Sequence, residues 1–484
     1  LATAFLISLL GKFSKRSADI LANLGCFILL ILSLRSVYLL IPSKVIVYKI
    51  GGWIPPLGIC MVLDGLSSFM LVTVNLISFL VALYSMDYME RYTDKWKFYT
   101  LFMLMLAGMN GVIVTGDLFN LFVFLEVASI SSYALVAFGT EQEELEASFK
   151  YAIMGSVASS FILLGIAFLY SYTSTLNMAD MAKVLSKDSS QVLKFVSVLF
   201  LMGFGLKAAI VPFHAWLPDA HPSAPAPISA MLSGVLIKVL GIYALMRIFF
   251  NILGMNYMIF SIFMFLGVVS MVVGVILALS QWDFKRLLAY HSISQVGYVI
   301  LGVGLRTPLG ILGGLFHLFN HSVFKSLLFL NSGAVDYALN TRDLQQMGGL
   351  RERMPVTANT NLVASMSIAG IPPFNGFWSK LIIVIACIQK GAFGYAFWAI
   401  VASILTLASF MKVQKYGFLG KLNIRWQGIK EAPMMMCLAM IILAIICVIS
   451  GALISPLFKP FLESARDVLL KGKDYADLVF GALK

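Results

Sequence analysis

The sequence contains little charge for its length. Of its 484 residues, 12% are charged and 60% are hydrophobic, and the mean hydropathy is +0.92. This composition excludes a soluble core and predicts a polytopic membrane protein. The gaps between the apolar stretches are too short for a soluble domain, so we expect a single transmembrane domain over residues 1–484.

Cysteine is also scarce, and this limits the kinds of site the chain can hold. The cysteines never form a CxxC pair, which excludes iron–sulfur, zinc and disulfide frameworks. No glycine-rich dinucleotide motif or P-loop follows a strand, and there is no cleavable signal pattern. We therefore expect no cofactor and no metal, and we attribute the net charge of +12 to loop residues instead of a nucleic-acid partner. The cysteines are Cys26, Cys60, Cys387, Cys437 and Cys447.

Long hydrophobic runs dominate what is present. Fourteen of them are long enough to cross a bilayer, apart from a shortened first one. They lie near residues 1–11, 18–41, 63–85, 97–115, 117–138, 149–172, 195–211, 228–246, 256–280, 289–305, 308–332, 357–386, 391–411 and 432–456. Segment 42–60 has β-type alternation and turn residues, which predicts a small hairpin outside the bilayer. Segment 457–484 is a polar C-terminal tail.

Lysine and arginine are distributed unevenly between the loops. The odd-numbered loops, which include Lys285 and the lysine-rich loop 412–430, carry more of them than the even-numbered loops, which include Arg247. Positively charged loops tend to stay in the cytoplasm. We therefore expect the odd-numbered loops to be cytoplasmic, with both termini outside, in a multi-pass protein of the cell membrane.

A few charges lie within the apolar spans. Glu126 is the only acid well inside a span, and four lysines, Lys207, Lys238, Lys325 and Lys380, lie within spans or at breaks in them. Each such lysine costs roughly 3 kcal/mol to insert, so four together are hard to explain as accident. Glu126 and Lys207 are predicted to pair, either as a static structural pair or as a pair that switches. For Lys238, snorkelling to the surface is the simpler alternative.

Two of these lysines lie beside predicted helix breaks. Pro212 follows Lys207, and the run GIPPFNG precedes Lys380. A charge beside a broken membrane helix is typical of an ion site. The two breaks are five spans apart, which predicts an internal repeat with halves at roughly 97–246 and 256–411. Because five is odd, the halves would be inverted in the membrane.

The span near 308–332 carries a polar stripe. His317, His321 and Lys325 recur every four residues and therefore share one helix face. Such a stripe suits a proton relay through titratable groups bridged by water. Metal binding by the two histidines and satisfied core histidines are the alternatives, and the first is weak without a nearby third ligand.

Further polar residues are predicted on the cytoplasmic side. His214, Asp219 and His221 lie in a proline-rich turn, and His291 begins a span. They form either a proton inlet or ordinary helix caps and polar loop residues without a transport role. An acidic loop follows the fifth span and is predicted to be a solvated face or a subunit contact; its acids are Glu141, Glu143, Glu144 and Glu146.

Six runs of sequence resemble the antiporter-like subunits shared by complex I, Mrp cation/proton antiporters and membrane-bound hydrogenases. They are GGWIPPLGICMVLDGLSS, FNLFVFLEVASISSYALVAF, LKAAIVPFHAWLPDAHPSAPAPISAMLSGVLIK, DFKRLLAYHSISQVGY, HLFNHSVFKSLLFL and GIPPFNGFWSK. The phrases LNMADMA and LLAYHSISQVGY are most similar to the D-type subunits of Mrp antiporters.

The resemblance implies an all-α polytopic membrane protein of about 14 transmembrane helices. It implies two inverted five-helix repeats, with helices 7 and 12 broken, and a hydrated polar axis at mid-membrane. Residue by residue, it assigns proton translocation to Glu126, Lys207, Lys238, His317, His321, Lys325 and Lys380.

The function we expect is that of a proton-translocating subunit. Its partners would be the other membrane subunits of an Mrp-type Na⁺/H⁺ antiporter or of a related respiratory complex, either a membrane-bound hydrogenase or a complex I-like assembly. Protons would move through this chain, with Na⁺ passage through partner subunits left open, and any redox chemistry would belong to partners. A self-sufficient secondary transporter of a small solute is the alternative, and it would need a substrate cavity at the broken helices.

Overall fold

The structure is a computed structural model that describes residues 1–12, 14–41, 44–185, 190–254, 257–454 and 459–483. The predicted stretches 42–60, 256–280, 432–456 and 457–484 and both repeat halves, 97–246 and 256–411, therefore lie partly outside the described residues. Within the described part the chain is almost entirely helical, as the apolar runs predict.

Nineteen helical segments cover most of the described chain, and the α10 segment is largely π-helical from Leu232 onward. In order they are α1 (Ala2–Leu10), α2 (Lys15–Leu39), α3 (Gly65–Tyr88), α4 (Lys95–Val114), α5 (Leu118–Val136), α6 (Gln142–Thr173), α7 (Met178–Val184), α8 (Gln191–Lys207), α9 (Leu217–Ser223), α10 (Ala226–Ile252), α11 (Tyr257–Leu279), α12 (Phe284–Gly304), α13 (Pro308–Leu339), α14 (Pro355–Ala369), α15 (Asn375–Gln389), α16 (Phe393–Val413), α17 (Met434–Ile449), α18 (Lys459–Leu470) and α19 (Tyr475–Gly481).

Ten helices of the described chain are long and apolar enough to cross a membrane. The other predicted spans fall on shorter, broken or more polar helices, among them α1, α8, α13 and the pair α14 and α15. The all-α membrane fold is confirmed, whereas the count of fourteen crossings stays a prediction. The predicted hairpin is also found: β1 (Val45–Lys49) pairs antiparallel with β2 (Cys60–Asp64).

Both predicted helix breaks are present. Helix α8 ends at Lys207, and α9 begins only at Leu217, after a non-helical stretch that contains Pro212. Helix α14 ends at Ala369, and α15 begins at Asn375. A proline cannot donate a backbone hydrogen bond and restricts the residue before it, so each break follows from its prolines. The inverted relation of the two halves stays a prediction.

Helix α10 runs through the centre of the molecule. An apolar stretch of 18 residues in this helix is completely buried, as expected for a helix that is hydrophobic on all sides. Small residues allow close packing there. A Cβ atom at Gly241 would lie 2.5 Å from Ala208 Cα, directly after the end of α8, and one at Gly234 would collide with Ser326 Oγ on α13. Helix α10 therefore packs tightly against α13, which carries Lys325, and against the end of α8, which carries Lys207.

The C-terminal segment is packed against the helix bundle. Although its composition is polar, α18 buries an apolar face made by Leu462, Ala465, Val468 and Leu469. Ser464 of this helix lies against the start of α3, where a Cβ atom at Gly65 would collide with Ser464 Oγ. Residues 459–483 thus cover one end of the bundle.

The predicted acidic loop is instead the start of a helix. Glu143 and Glu144 lie in the first turn of α6, and Glu144 accepts a hydrogen bond of 3.2 Å from the backbone N–H of Glu141. Acidic side chains are favoured at a helix N-terminus because its free N–H groups carry partial positive charge. Local capping therefore explains part of this acidic cluster without a partner.

Candidate functional site: a buried polar axis

The predicted pair of Glu126 and Lys207 is present. Glu126 lies on α5, Lys207 is the last residue of α8, and Glu126 Oε1 is 3.6 Å from Lys207 Nζ. The lysine side chain is 4% exposed and the glutamate side chain 27%. The amine therefore lies inside the chain, whereas the carboxylate reaches its surface.

Hydroxyl groups complete the surroundings of this pair. Ser159 on α6 donates a hydrogen bond of 2.5 Å to Glu126 Oε1. Lys207 Nζ donates to Ser129 Oγ at 2.9 Å and to Tyr133 Oη at 3.4 Å, both on α5. The carboxylate and the amine each have hydroxyl hydrogen-bond partners of their own, so each keeps a hydrogen bond when the two move apart. This arrangement allows the separation between carboxylate and amine to change.

Lys238 lies at the centre of the bundle on α10. Its side chain is completely buried, and its amine donates to the backbone carbonyl of Ser233 in the same helix. No hydrogen bond or ion pair joins it to Lys207 among the described residues. Its helix packs directly against α13: a Cβ atom at Gly234 would collide with Ser326 Oγ, beside Lys325 in the sequence. Snorkelling is excluded for this position because the amine does not reach a surface.

The stripe on α13 forms as predicted. His317, His321 and Lys325 are all fully buried, and the two imidazole rings lie nearly parallel with centroids 6.3 Å apart. The His321 ring nitrogens and Lys325 Nζ make no hydrogen bond to any described residue. Buried polar groups nearly always have a partner, protein or water. We therefore expect water to reach this stripe.

Lys380 continues the polar line on α15. Its amine donates to the carbonyl of Ile368 at 2.7 Å and to Ser403 Oγ at 3.2 Å. Two residues connect it to the α13 stripe. Tyr298 lies between them, with its ring centroid 4.8 Å from Lys380 Nζ and 5.3 Å from the His317 ring, and Ser379 Oγ is 2.9 Å from His317 Nδ1.

The four candidate inlet residues separate into buried and surface groups. Asp219 is at the surface, where its carboxylate is 3.2 Å from Lys150 and 3.5 Å from Arg286. His214 is half-buried in the break after α8. His221 and His291 are fully buried, which rules out the description of them as loop polar groups.

His291 and His221 differ in their contacts. His291 Nε2 lies 2.8 Å from Ser409 Oγ on α16, whereas neither ring nitrogen of His221 is hydrogen-bonded among the described residues. His221 lies against the rings of Trp216 and Phe329, with centroid distances of 6.4 and 5.4 Å. The same Phe329 ring lies 5.5 Å from Lys325 Nζ, so His221 and Lys325 pack against one side chain. His221 therefore belongs to the buried polar axis.

Comparison with known sequences identifies the family. The model of the family described as NADH:quinone oxidoreductase/Mrp antiporter, TM, matches residues 115–407, which is more than half of the chain. The chain belongs to this family. A second model, described as NADH-Ubiquinone oxidoreductase (complex I), chain 5 N-terminus, matches residues 54–99. Both matches confirm the family resemblance found in the sequence.

Individual relatives cover nearly the whole chain. The D-type subunit of the Na(+)/H(+) antiporter of Alkalihalophilus pseudofirmus is 36% identical over 444 residues, which is 90% of this chain and 89% of that protein. A chain of the Mrp complex from Dietzia sp. DQ12-45-1b superposes with a TM-score of 0.92 at 28% identity, covering 99% of this chain and 98% of that one. A chain of the archaeal membrane-bound sulfane sulfur reductase gives a TM-score of 0.89 at 28% identity, covering 99% and 97%.

This member of the NADH:quinone oxidoreductase/Mrp antiporter family also has buried charges that the sequence interpretation missed. Arg247, assigned to a loop, is 3% exposed and makes a two-pronged ion pair with Asp64, at 2.8 and 3.0 Å. Lys285, also assigned to a loop, is 3% exposed and donates to the carbonyl of Ala224 at 2.9 Å. Both assignments were wrong because each predicted span was shorter than its helix: α10 continues to Ile252, and α12 already begins at Phe284.

Tyr298, Ser379 and Ser403 were missed for a different reason. They are uncharged, so the cost of inserting a charge gives no signal at these positions. The QVGY and FWSK runs that contain Tyr298 and Ser379 were noted for other residues. Among the described residues no cluster of three or more His, Cys, Asp or Glu side chains could hold a metal ion. The expected absence of metals and cofactors stays a prediction.

Proposed function

We propose that this chain is a proton-translocating subunit of a multisubunit membrane complex. One observation carries the proposal: buried titratable side chains lie on neighbouring helices of the apolar bundle, from Lys207 on α8, which pairs with Glu126, to Lys380 on α15. The groups between are Lys238, His317, His321 and Lys325. Apolar packing does not need these groups, and each adds an insertion cost, so a transported charge is the reason for their presence.

The proposed mechanism depends on the separation of Glu126 and Lys207. A carboxylate beside an amine favours the protonated amine, and burial without it favours the neutral amine. Two charges 4 Å apart attract by about 4 kcal/mol at an effective dielectric of about 20, which is comparable to the burial effect. A small displacement of Glu126 would therefore release the proton of Lys207. The break after Lys207 offers a joint for such a displacement.

The released proton would pass to Lys238 and then to the stripe of His317, His321 and Lys325 on α13. Lys380 would be the last group, reached past Tyr298 and Ser379. His214, Asp219, His221 and His291 are proposed as inlet residues on the cytoplasmic side. The loop charges support the cytoplasmic position of this inlet and a location of both termini outside the cell membrane.

The parent complex is proposed from the relatives. One is a subunit of an Na(+)/H(+) antiporter, and the solved structures are an Mrp complex and an archaeal respiratory membrane complex. We propose that this chain assembles in the bilayer with other membrane subunits of such a complex. The 27% exposure of Glu126 supports a covering partner, because a charged carboxylate facing lipid is costly.

Replacement of His321 by alanine tests the path. Proton flux into membrane vesicles that contain the whole complex should fall at least about tenfold, since one positioned proton-transfer group contributes about 10²–10⁴-fold. Ser322→Ala is the matched control, because Ser322 donates only to the carbonyl of Leu318 in its own helix. Normal flux with His321→Ala at equal complex content would remove His321 from the path. Transport by the isolated chain would support the self-sufficient transporter instead.

A further inference from the structure

The junction between α9 and α10 is held by two cations from the second half of the chain. Lys285 Nζ donates to the carbonyl oxygen of Ala224 at 2.9 Å, and an Arg342 guanidinium nitrogen donates to the carbonyl oxygen of Pro222 at 2.5 Å. The last carbonyls of a helix lack partners within it, and cations are favoured there. We refer to Lys285 and Arg342 together as the cation clamp.

The cation clamp is built on a rigid base. Arg342 and the residues around Lys285 belong to segments that hydrogen-bond to each other. Phe284 N–H donates to the carbonyl of Arg342 at 2.9 Å, and Leu344 N–H donates to the carbonyl of Trp282 at 3.0 Å. The two cations therefore keep a fixed separation and hold the α9–α10 junction as one unit.

His221 lies directly before the clamped carbonyls. Its own carbonyl accepts a hydrogen bond of 2.7 Å from Ser229 Oγ on α10. The imidazole is fully buried, and its ring nitrogens have no hydrogen-bond partner among the described residues. Only ring contacts and the backbone around it therefore set its position. The Phe329 ring contacts both His221 and Lys325: its centroid is 5.4 Å from the imidazole centroid and 5.5 Å from Lys325 Nζ.

A charged cleft lies on the other side of the clamp. This cleft has a volume of about 430 Å³, and its walls include Asp219, Asp283, Pro222 and Arg342. Arg342 Nε is 3.4 Å from Asp283, and Asp219 is paired with Lys150 and Arg286. Arg342 is thus part of the cleft wall and of the clamp, while His221 lies behind Pro222 on the buried side.

We propose that Lys285 and Arg342 are positioning residues for the proton inlet: they hold the carbonyls of Ala224 and Pro222 and so keep His221 between the charged cleft and Lys325. The inference rests on the proposed proton translocation. It gives Lys285 and Arg342, which belong to the predicted second repeat half, a role at the helix break of the first repeat half. A helix cap that only stabilises the fold is the competing explanation. The two explanations differ in whether the effect of the clamp depends on His221.

The experiment is a double-mutant cycle in the assembled complex. Proton flux into vesicles is measured for Lys285→Met, His221→Gln and the combination, each normalised to complex content. Because misplacement of a reacting group by about 1 Å can cost about a hundredfold, Lys285→Met should lower flux at least about tenfold. In the His221→Gln background it should cause little further loss. Lys285→Arg, which keeps a cationic donor, should restore most of the flux.

Two additional variants keep the test decisive. Arg342→Gln removes the partly exposed arm of the clamp and should lower flux even if Lys285→Met prevents assembly. Lys97→Met is the control, since Lys97 is exposed and its one ion pair among the described residues is with the exposed Asp94. Normal flux in either Arg342→Gln or Lys285→Met would contradict the proposed positioning role. It would also be contradicted if the flux losses of Lys285→Met and His221→Gln multiply in the combined variant. If Lys207→Ala also transports normally, the proposed function has failed as well.

Discussion

Lys207 is the residue on which the proposed mechanism depends. Its amine has three oxygen partners, from Glu126 at 3.6 Å, Ser129 at 2.9 Å and Tyr133 at 3.4 Å. Only the partner at 3.6 Å is charged, and it is the most distant. The carboxylate in turn has a shorter contact with Ser159 than with the lysine. Small changes around α5 and α6 would therefore alter the charge that Lys207 experiences.

Substitutions of Glu126 test this dependence. Glu126→Gln removes the charge and should abolish coupled proton transport. Glu126→Asp keeps the charge at a greater distance and should reduce transport only partly, because the attraction falls with separation. Both should leave the amount of complex in the membrane unchanged.

Proton flux in vesicles is the measurement for both variants, with Glu352→Gln as an exposed acidic control. Equal flux in Glu126→Gln and the unchanged protein would show that the pair is only structural.

Charged residues were predictable from the sequence where they interrupt a long apolar run. Lys207, Lys238, Lys325 and Lys380 were found in this way, and the structure buries all of them. Lys285 was not found, because it lies at the start of α12 next to the exposed Arg286, and the sequence alone does not distinguish the two. Its burial comes from the α9–α10 junction, which is distant in sequence.

At the scale of elements, α10 is held by polar contacts near its C-terminal end. Tyr243, Arg247 and Asn251 follow at intervals of four residues and share a face. Arg247 binds Asp64 at the start of α3, and Asn251 donates to carbonyls of the C-terminal segment at 2.9 and 3.1 Å. The position of Lys238 on the same helix is therefore set partly by a charge pair at the helix end.

Removal of one partner of the Arg247–Asp64 pair should lower the free energy of unfolding by several kcal/mol. Asp64→Asn leaves a buried guanidinium without its counter-charge, and such losses typically cost about 3–5 kcal/mol. We expect a clear fall in the melting temperature of the complex and in its yield. The combined Asp64→Asn and Arg247→Gln replacement should recover part of the loss.

The exposed pair of Lys97 and Asp94 serves as the control, because exposed pairs contribute only about 0–1 kcal/mol. Thermal unfolding of the solubilised complex measures both pairs. Equal melting temperatures for Asp64→Asn and Lys97→Gln would contradict the account of α10.

The two helix breaks were predictable because proline acts locally, whereas the packing of the C-terminal segment was not. Pro212 and the Pro372–Pro373 run are visible in the sequence and interrupt helices wherever they occur. By contrast, α18 is short and has a polar composition, and it is stabilised by apolar residues on one face that contact α3 and α13. Such a contact depends on the assembled bundle.

For the whole molecule, hydrophobic runs were sufficient to predict the membrane class, and the described helices follow the predicted spans within a few residues at most ends. The order of packing around α10 was not predictable, since every apolar helix offers a similar surface. The orientation in the membrane depends only on loop charge, so it needs its own test.

The loop 412–430 is expected to face the cytoplasm. Gly428→Cys introduces a thiol at an exposed position with no neighbour within 4 Å, in a Cys437→Ser background that removes the least buried native thiol. A membrane-impermeant maleimide should label it only after intact cells are opened. Gly394→Cys, equally free of neighbours and near the predicted outer end of the span 391–411, should be labelled from outside. The reverse labelling pattern would show that the predicted topology is inverted and that the proposed inlet faces the outside.

The most direct test of proton translocation by this chain is the proton flux of Lys207→Ala in the purified, reconstituted complex. The side chain is buried, and its removal leaves the other described contacts of α8 in place. The account predicts that the variant assembles in normal amounts and that its coupled proton flux falls to the background of empty vesicles. A normal flux at equal complex content would contradict the account and leave the Glu126–Lys207 pair as a structural feature.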